Sequence, residues 1–288
     1  MLGAGAFTMV SACFPEAPTM SDADVERSTT DRYAVIALSA ERAVGRDDAS
    51  VDVRAHFVEA RDVSAAAALA AFDLAPLEAR CDVRAQRPTT AGAGAHVELL
   101  DVGNLHVYGS GESVQLEPMA VPAQLQQLAG VVYGTDDGAP TPAYGADEPF
   151  LVWVEGTSGD GFSVGLRAPE RVAVHAVNGR SPGSAEALHV DLDEGLFIEL
   201  ESAAPSVDVE LRAGLAPHVV TYRCSHPGDQ PIAVDAAVLA SLRAAGEPIE
   251  LTLSAWSLEP FPEGAPIAGE LRFAFVDTLE LVTERAAR

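Results

Sequence analysis

Alternation of apolar and polar residues recurs along most of this chain and limits its fold more than any other feature. Between Val51 and Phe57, every odd-numbered residue is apolar and every even-numbered residue is charged or histidine. A strand repeats every two residues, so this pattern places the apolar residues on one face of a sheet. Similar patterns predict further strands over residues 33–39, 77–84, 96–100, 105–108, 114–116, 150–155, 162–167, 172–177, 188–192, 196–200, 207–212, 219–224, 249–256 and 271–276.

Two segments have the composition of helices instead. Residues 62–72 and 235–245 are rich in Ala and Leu, the strongest helix formers, and each begins at an Asp that is suited to an N-cap. The second segment is followed by Gly246 and Pro248, which is typical of a helix stop. Because only two short helices are expected among many strands, the sequence argues against a fold with a regular alternation of strand and helix.

A stretch of turn-forming residues at 136–145 (DDGAPTPAYG) divides the chain into two parts. We therefore predict an all-β protein of two antiparallel β-sandwich (Ig-like) domains, with one short helix in each. The domains are expected over residues 31–138 and 146–288, with a linker at 139–149 that overlaps the start of the second domain. A signal-like segment at 1–13 and a flexible acidic tether at 14–30 are expected to precede them.

The charge of the chain restricts its partners. The formal net charge is −25, from 43 acidic and 18 basic residues, and every basic residue is Arg. Nucleic-acid binding depends on basic residues that displace phosphate counterions, so the sequence argues against it. Direct adsorption to anionic lipid is disfavoured for the same reason.

The residues Val10–Cys13 (VSAC) resemble the lipobox of bacterial lipoproteins, after which Cys13 would carry the lipid anchor. An apolar stretch precedes them, although the Lys or Arg expected near the start of a signal peptide is missing. The alternative is a frayed apolar terminus of a cytosolic protein. Phe14 stands where an Asp would retain a lipoprotein in the inner membrane, so we expect export to the outer membrane or cell surface.

With Cys13 lipidated, Cys81 and Cys224 remain as an even pair. Both lie in alternating segments on the apolar side of a predicted strand, and an oxidising compartment would allow them to form a disulfide. The alternative is that each is a buried free thiol that fills apolar space.

The lipobox-like start, the acidic tether and the two Ala- and Gly-rich halves resemble uncharacterised two-domain β-sandwich lipoproteins of high-GC Gram-negative bacteria. The order of a strand at Val219–Cys224, a short apolar segment at Pro231–Val234 and a helix from Asp235 is similar to the second sandwich of such proteins. The resemblance implies an exported, lipid-anchored protein. It assigns no activity and no functional residue.

No catalytic residue is predicted, because the G-x-S-x-G, H-E-x-x-H and C-x-x-C patterns are absent from the sequence. Calcium is the one ion that the acidic loops suggest, through Asp191, Asp193 and Glu194 beside a glycine. Clusters of this kind also arise by chance among so many carboxylates. The histidines, His226 among them, are expected to be surface or strand-edge residues rather than metal ligands.

Trp256 is the predicted ligand-binding residue, because it falls in phase with the polar positions of its strand. Trp153 is flanked by apolar residues and is expected in the core. We therefore expect a lipid-anchored cell-envelope protein with a non-enzymatic binding or structural role and with no required cofactor, whose partner is an envelope protein or glycan. The alternatives are a carbohydrate- or calcium-binding adhesion module and a hydrolase of an envelope polymer.

Overall fold

The computed structural model describes residues 30–42, 49, 51–61, 64, 69, 81–85, 96–121, 128–135, 141–182, 187–193, 195–215 and 218–283. These residues are mostly in β-strands, as predicted, and include one short helix with described bounds, α1 (Ala236–Ala245). The strands are β1 (Thr30–Glu41), β2 (Val51–Arg61), β3 (Asp82–Ala85), β4 (His96–Leu99), β5 (Leu105–Gly109), β6 (Glu112–Leu116), β7 (Met119–Ala120), β8 (Leu128–Gly134), β9 (Pro149–Val154), β10 (Phe162–Arg167), β11 (Val172–Val177), β12 (Ala187–Val190), β13 (Leu196–Ser202), β14 (Ser206–Ala213), β15 (Val220–Pro227), β16 (Ile232–Val234), β17 (Ile249–Pro260) and β18 (Ala268–Thr283).

The strands form one large sheet and two small ones. The large sheet has eleven strands, in the order β3-β15-β14-β17-β18-β1-β2-β4-β8-β7, with β12 beside β18. The small sheets have the orders β10-β9-β5-β6 and β11-β13-β16. Within the large sheet, β1 pairs with β18 in parallel, so the first and last described strands are neighbours. Most other pairings are antiparallel.

The core lies between the large sheet and the two small sheets. A continuous apolar cluster includes inward residues from strands of all three sheets. The ring of Phe150 in β9 meets that of Phe273 in β18 edge-to-face, with centroids 4.8 Å apart. Phe273 is fully buried, and Tyr144 also packs edge-to-face on it. The architecture is therefore sandwich-like.

The predicted pair of separate Ig-like domains is not confirmed. The strand β5 pairs with β9 along its whole length, although nearly all of the predicted linker, residues 139–149, lies between them in the sequence. The parallel pair of β1 and β18 likewise joins the two predicted halves. Sheet hydrogen bonds therefore join strands that precede the predicted linker to strands that follow it.

The second predicted helix is confirmed as α1. Its apolar side buries Leu239 and Leu242 against the sheet. Gly246 ends it as expected, with φ of 154° and its N–H bonded to the carbonyl of Leu242 at 3.2 Å. The side chain of Asp235 makes no capping hydrogen bond. The first predicted helix, at residues 62–72, lies largely outside the described residues.

A smaller apolar cluster covers the other face of the large sheet. It includes Val35 and Val58, with Leu69 and Leu99 packed on them. His56 of β2 lies directly opposite Val35, and burial is the main cause that lowers the pKa of its imidazole to about 4. Both faces of the large sheet are therefore covered in this region.

Candidate functional site

The four-stranded sheet turns one face to the core and the other to solvent. Along β9, burial alternates strictly: Val152 and Val154 point into the core, whereas Leu151 and Trp153 point outward. The neighbouring strand β5 alternates in the same way. The outward side of this sheet therefore carries a row of large side chains, which we call the aromatic face: His106, Tyr108, Leu151 and Trp153.

Strand register brings these side chains together. His106 lies directly opposite Trp153, and Tyr108 lies directly opposite Leu151. The rings of His106 and Tyr108 stack along β5, with centroids 6.5 Å apart and planes within 21°. Directly opposed side chains on one sheet face are in contact range, and diagonal ones lie about 7–8 Å apart. Three rings and one aliphatic side chain therefore form a continuous surface.

The aromatic face is open to a ligand. Trp153 retains 40% of its surface exposed and Tyr108 retains 43%. The strand β10 on one side contributes Ser163 and Gly165 opposite Trp153 and Leu151. Gly165 has no side chain to cover the apolar surface, and Ser163 is small, so the rings stay accessible from that side.

A shallow depression of about 930 Å³ lies at the Tyr108 end of the aromatic face. Its wall includes Glu112, Glu148 and Arg167. The hydroxyl of Ser110, which has a single proton to donate, lies within hydrogen-bond distance of both the carboxylate of Glu148 and the carbonyl of Ala143. Two carboxylates and a guanidinium therefore stand beside the exposed rings.

The floor of this depression is shaped by a close approach of two strands. Gly109 ends β5, and a Cβ atom at this position would lie 2.2 Å from the ring of Phe150. Only glycine therefore allows the phenyl ring to pack under the depression and into the core. Arg167 is held at the rim because its guanidinium donates to the carbonyl of Asp147 at 2.7 Å and to its carboxylate at 3.2 Å.

The structure corrects the expectation for one of the two tryptophans. The expectation that Trp153 lies in the core was wrong, because its strand turns it outward. Trp256, the predicted ligand-binding residue, is half-buried in β17. Its indole nitrogen is shielded from solvent and makes no hydrogen bond with any described residue. Trp256 lies in the large sheet and is not part of the aromatic face.

The acidic loop that suggested calcium is engaged by the protein's own donors. The carboxylate of Asp191 accepts the backbone N–H of Asp193 at 2.9 Å. The carboxylate of Asp193 is paired with Arg243 of α1 at 2.5 Å. Glu194 lies outside the described residues. The two described carboxylates therefore serve a turn and an ion pair, and nothing in their geometry favours a bound cation.

Cys81 and Cys224 are joined in a disulfide, with Cα atoms 4.0 Å apart. Cys224 is fully buried in β15, and Cys81 is exposed just before the edge strand β3. His226, two residues further along β15, lies beside them, and burial lowers the pKa of its imidazole. The bridge links the edge strand to the rest of the large sheet.

Cys13, the predicted lipid anchor, lies outside the described residues. Within the described part of the chain, no helix has the length and apolar character needed to cross a membrane.

Neither a family model nor a curated protein matches the chain. Among solved structures, the yeast delta-COP-I mu-homology domain aligns over 91% of this chain and all of its own length, with 9% identity and a TM-score of 0.23. A similarity this low supports no conclusion about fold or function.

Proposed function

We propose that this chain is a non-enzymatic carbohydrate-binding protein that uses the aromatic face as its platform. The observation that carries the proposal is the exposure of Tyr108 and Trp153 at diagonal positions on one sheet face, where a soluble protein would normally place polar residues. The apolar C–H faces of a sugar ring stack on flat aromatic rings, and stacking of this kind is a recurrent mode of glycan recognition.

The surroundings of the rings favour a sugar over a purely apolar ligand. A sugar needs hydrogen-bond partners for its hydroxyl groups at the edges of the stacked ring. Ser113 and Gln115 of β6 lie directly opposite Tyr108 and His106, and Ser163 lies opposite Trp153. Apolar rings flanked by hydroxyl and amide groups match the amphipathic character of a glycan.

Substitution of Trp153 by Ala is expected to weaken glycan binding by about 30-fold, since a central aromatic residue at a binding surface typically contributes about 2 kcal/mol. Binding is measured on a panel of immobilised oligosaccharides that includes peptidoglycan fragments. Stability should change little, because Trp153 lies outside the core.

The matched control is Phe197→Ala. Phe197 is an exposed aromatic residue, 44% accessible, on β13 of the other small sheet. This variant should bind like the wild type. Equal losses in Trp153→Ala and Phe197→Ala, or no glycan bound by the wild-type chain, would contradict the proposed platform.

We further propose that the protein acts at the cell envelope, held by a lipid on Cys13. The lipobox-like Val10–Cys13 segment supports this location, as does a disulfide between Cys81 and Cys224, because stable disulfides are typical of exported proteins. An anchored glycan-binding protein would attach the envelope to a polysaccharide.

Intact mass of the protein isolated from native membranes tests the anchor. We expect a chain that begins at Cys13 and carries a lipid-sized mass, and a Cys13→Ala variant that is recovered without lipid. A full-length, unmodified wild-type chain in the soluble fraction would refute the anchor and leave the glycan assay above unaffected.

A further inference from the structure

The surroundings of the disulfide hold a third metal-ligand group. The Sγ atoms of Cys81 and Cys224 and a ring nitrogen of His226 all lie within 4.8 Å of one another. Tetrahedral zinc with bonds of about 2.0–2.3 Å requires its ligand atoms about 3.4–3.8 Å apart. The three groups are therefore close enough to share one ion once the two sulfurs separate.

The sheet itself creates this proximity. Cys224 and His226 are two residues apart on β15, so their side chains project from the same face of the strand. The pairing of β15 with β3 ends at Arg223 and Asp82, and extending its register by one residue places Cys81 across from Cys224. The strand β15 and the residue just before β3 therefore supply all three groups.

The imidazole of His226 has an unused coordination atom. Its Nε2 is shielded from solvent and makes no hydrogen bond with any residue of the described chain. A buried polar atom without a partner costs free energy, and proteins usually satisfy such atoms. A metal ion coordinated by Nε2 would satisfy it.

We propose that reduction of the Cys81–Cys224 disulfide converts this edge of the large sheet into a Zn²⁺ site with Cys81, Cys224 and His226 as ligands. Two thiolates and one imidazole form a ligand set typical of zinc, and the exposed side of Cys81 leaves a fourth position for water. The site is distinct from the aromatic face and does not depend on glycan binding.

The chemistry of the conversion is balanced. A dithiol reductant gives two electrons and two protons to the protein disulfide and is itself oxidised to a disulfide, while Cys81 and Cys224 become thiols. Binding of Zn²⁺ then displaces two protons to solvent, and each sulfur binds the ion as a thiolate. In the oxidised protein the sulfurs are bonded to each other, so the site is closed.

Cobalt(II) titration of the full chain tests this site, because Co²⁺ occupies zinc sites and its bonds to thiolate give a strong absorption band in the near ultraviolet. The chain is reduced anaerobically with a water-soluble phosphine, which becomes a phosphine oxide, both before and during addition of Co²⁺. We expect one Co²⁺ per reduced chain, displaced by Zn²⁺, and no band with the oxidised chain.

Variants separate coordination from folding. His226→Ala should bind Co²⁺ about 100-fold more weakly than the wild type, since one of three protein ligands is lost, and should still form the disulfide on reoxidation. His189→Ala, in which an exposed histidine of β12 is replaced, should bind like the wild type. No band in the reduced wild type, or equal affinity in the His226→Ala variant, would overturn the proposal.

Discussion

Loss of the Cys81–Cys224 disulfide is expected to lower the free energy of unfolding by about 5 kcal/mol. The two cysteines are 143 residues apart in the sequence, so the bridge closes a very long loop in the unfolded chain. In the chain-entropy account, the longer the loop, the more freedom the bridge removes from the unfolded state. The bridge also secures β3, which pairs with β15 through four residues only.

Urea unfolding of Cys81→Ala against the oxidised wild type measures this effect. Cys81 is the better residue to replace because it is exposed, whereas a change at the fully buried Cys224 would add a packing defect to the lost bridge. Both proteins are unfolded with a chelator present, so that a metal ion cannot replace the bridge.

A phosphine reductant provides the control for this measurement. It should destabilise the wild type to the level of Cys81→Ala and leave the variant unchanged. A loss below about 1 kcal/mol would show that the bridge restrains little of the unfolded chain, or that β3 separates from the sheet without unfolding the rest.

Strands were predictable from this sequence because their signal is local. The alternation between Val51 and Phe57 follows from burial of one strand face, and β2 shows that pattern of burial. The bounds predicted for β10, β11 and α1 lie within one residue of the bounds in the structure. By contrast, β7, β8 and β16 were missed, since two- and three-residue strands and the apolar run in β8 show no period of two.

The aromatic face was not predictable, for two physical reasons. In the sequence Phe150–Val154 (FLVWV) every residue is apolar, so the pattern does not reveal which side faces solvent. Its members also come from β5 and β9, which are paired across more than forty residues of sequence. Which strands pair with each other depends on the whole fold. For the same reason, the sequence does not reveal that His226 lies beside the disulfide.

Acidification is expected to destabilise the protein through His56 by about 3 kcal/mol between pH 6.5 and pH 4. The pKa of His56 falls from 6.5 to about 4 in the folded protein because burial disfavours the charged imidazolium, with a smaller contribution from the positive charge of Arg54. The unfolded chain therefore binds a proton at a higher pH than the folded one. The contribution to stability is complete above pH 6.5 and is lost as the pH falls toward 4.

The charged neighbours of His56 do not reverse this direction. Arg54 lies on the same face of β2, and its guanidinium is bonded to Asp52 at 3.0 Å. Val35, an apolar residue, lies directly opposite on β1. Protonation at this position thus places a second positive charge beside Arg54 against an apolar surface.

His56→Gln isolates this contribution, because glutamine keeps a polar side chain of similar length and does not titrate. Unfolding in urea at a series of pH values should show a loss of stability between pH 6.5 and 4 that is about 3 kcal/mol smaller in the variant than in the wild type. The informative quantity is the difference between the two proteins in how stability changes with pH, because other groups also titrate in this range. Burial raises the pKa of Asp208 and Asp277, so these carboxyl groups favour folding on acidification in both proteins. Parallel curves for the two proteins would mean that the imidazole of His56 is hydrated well enough in the folded state to take up a proton near pH 6.5.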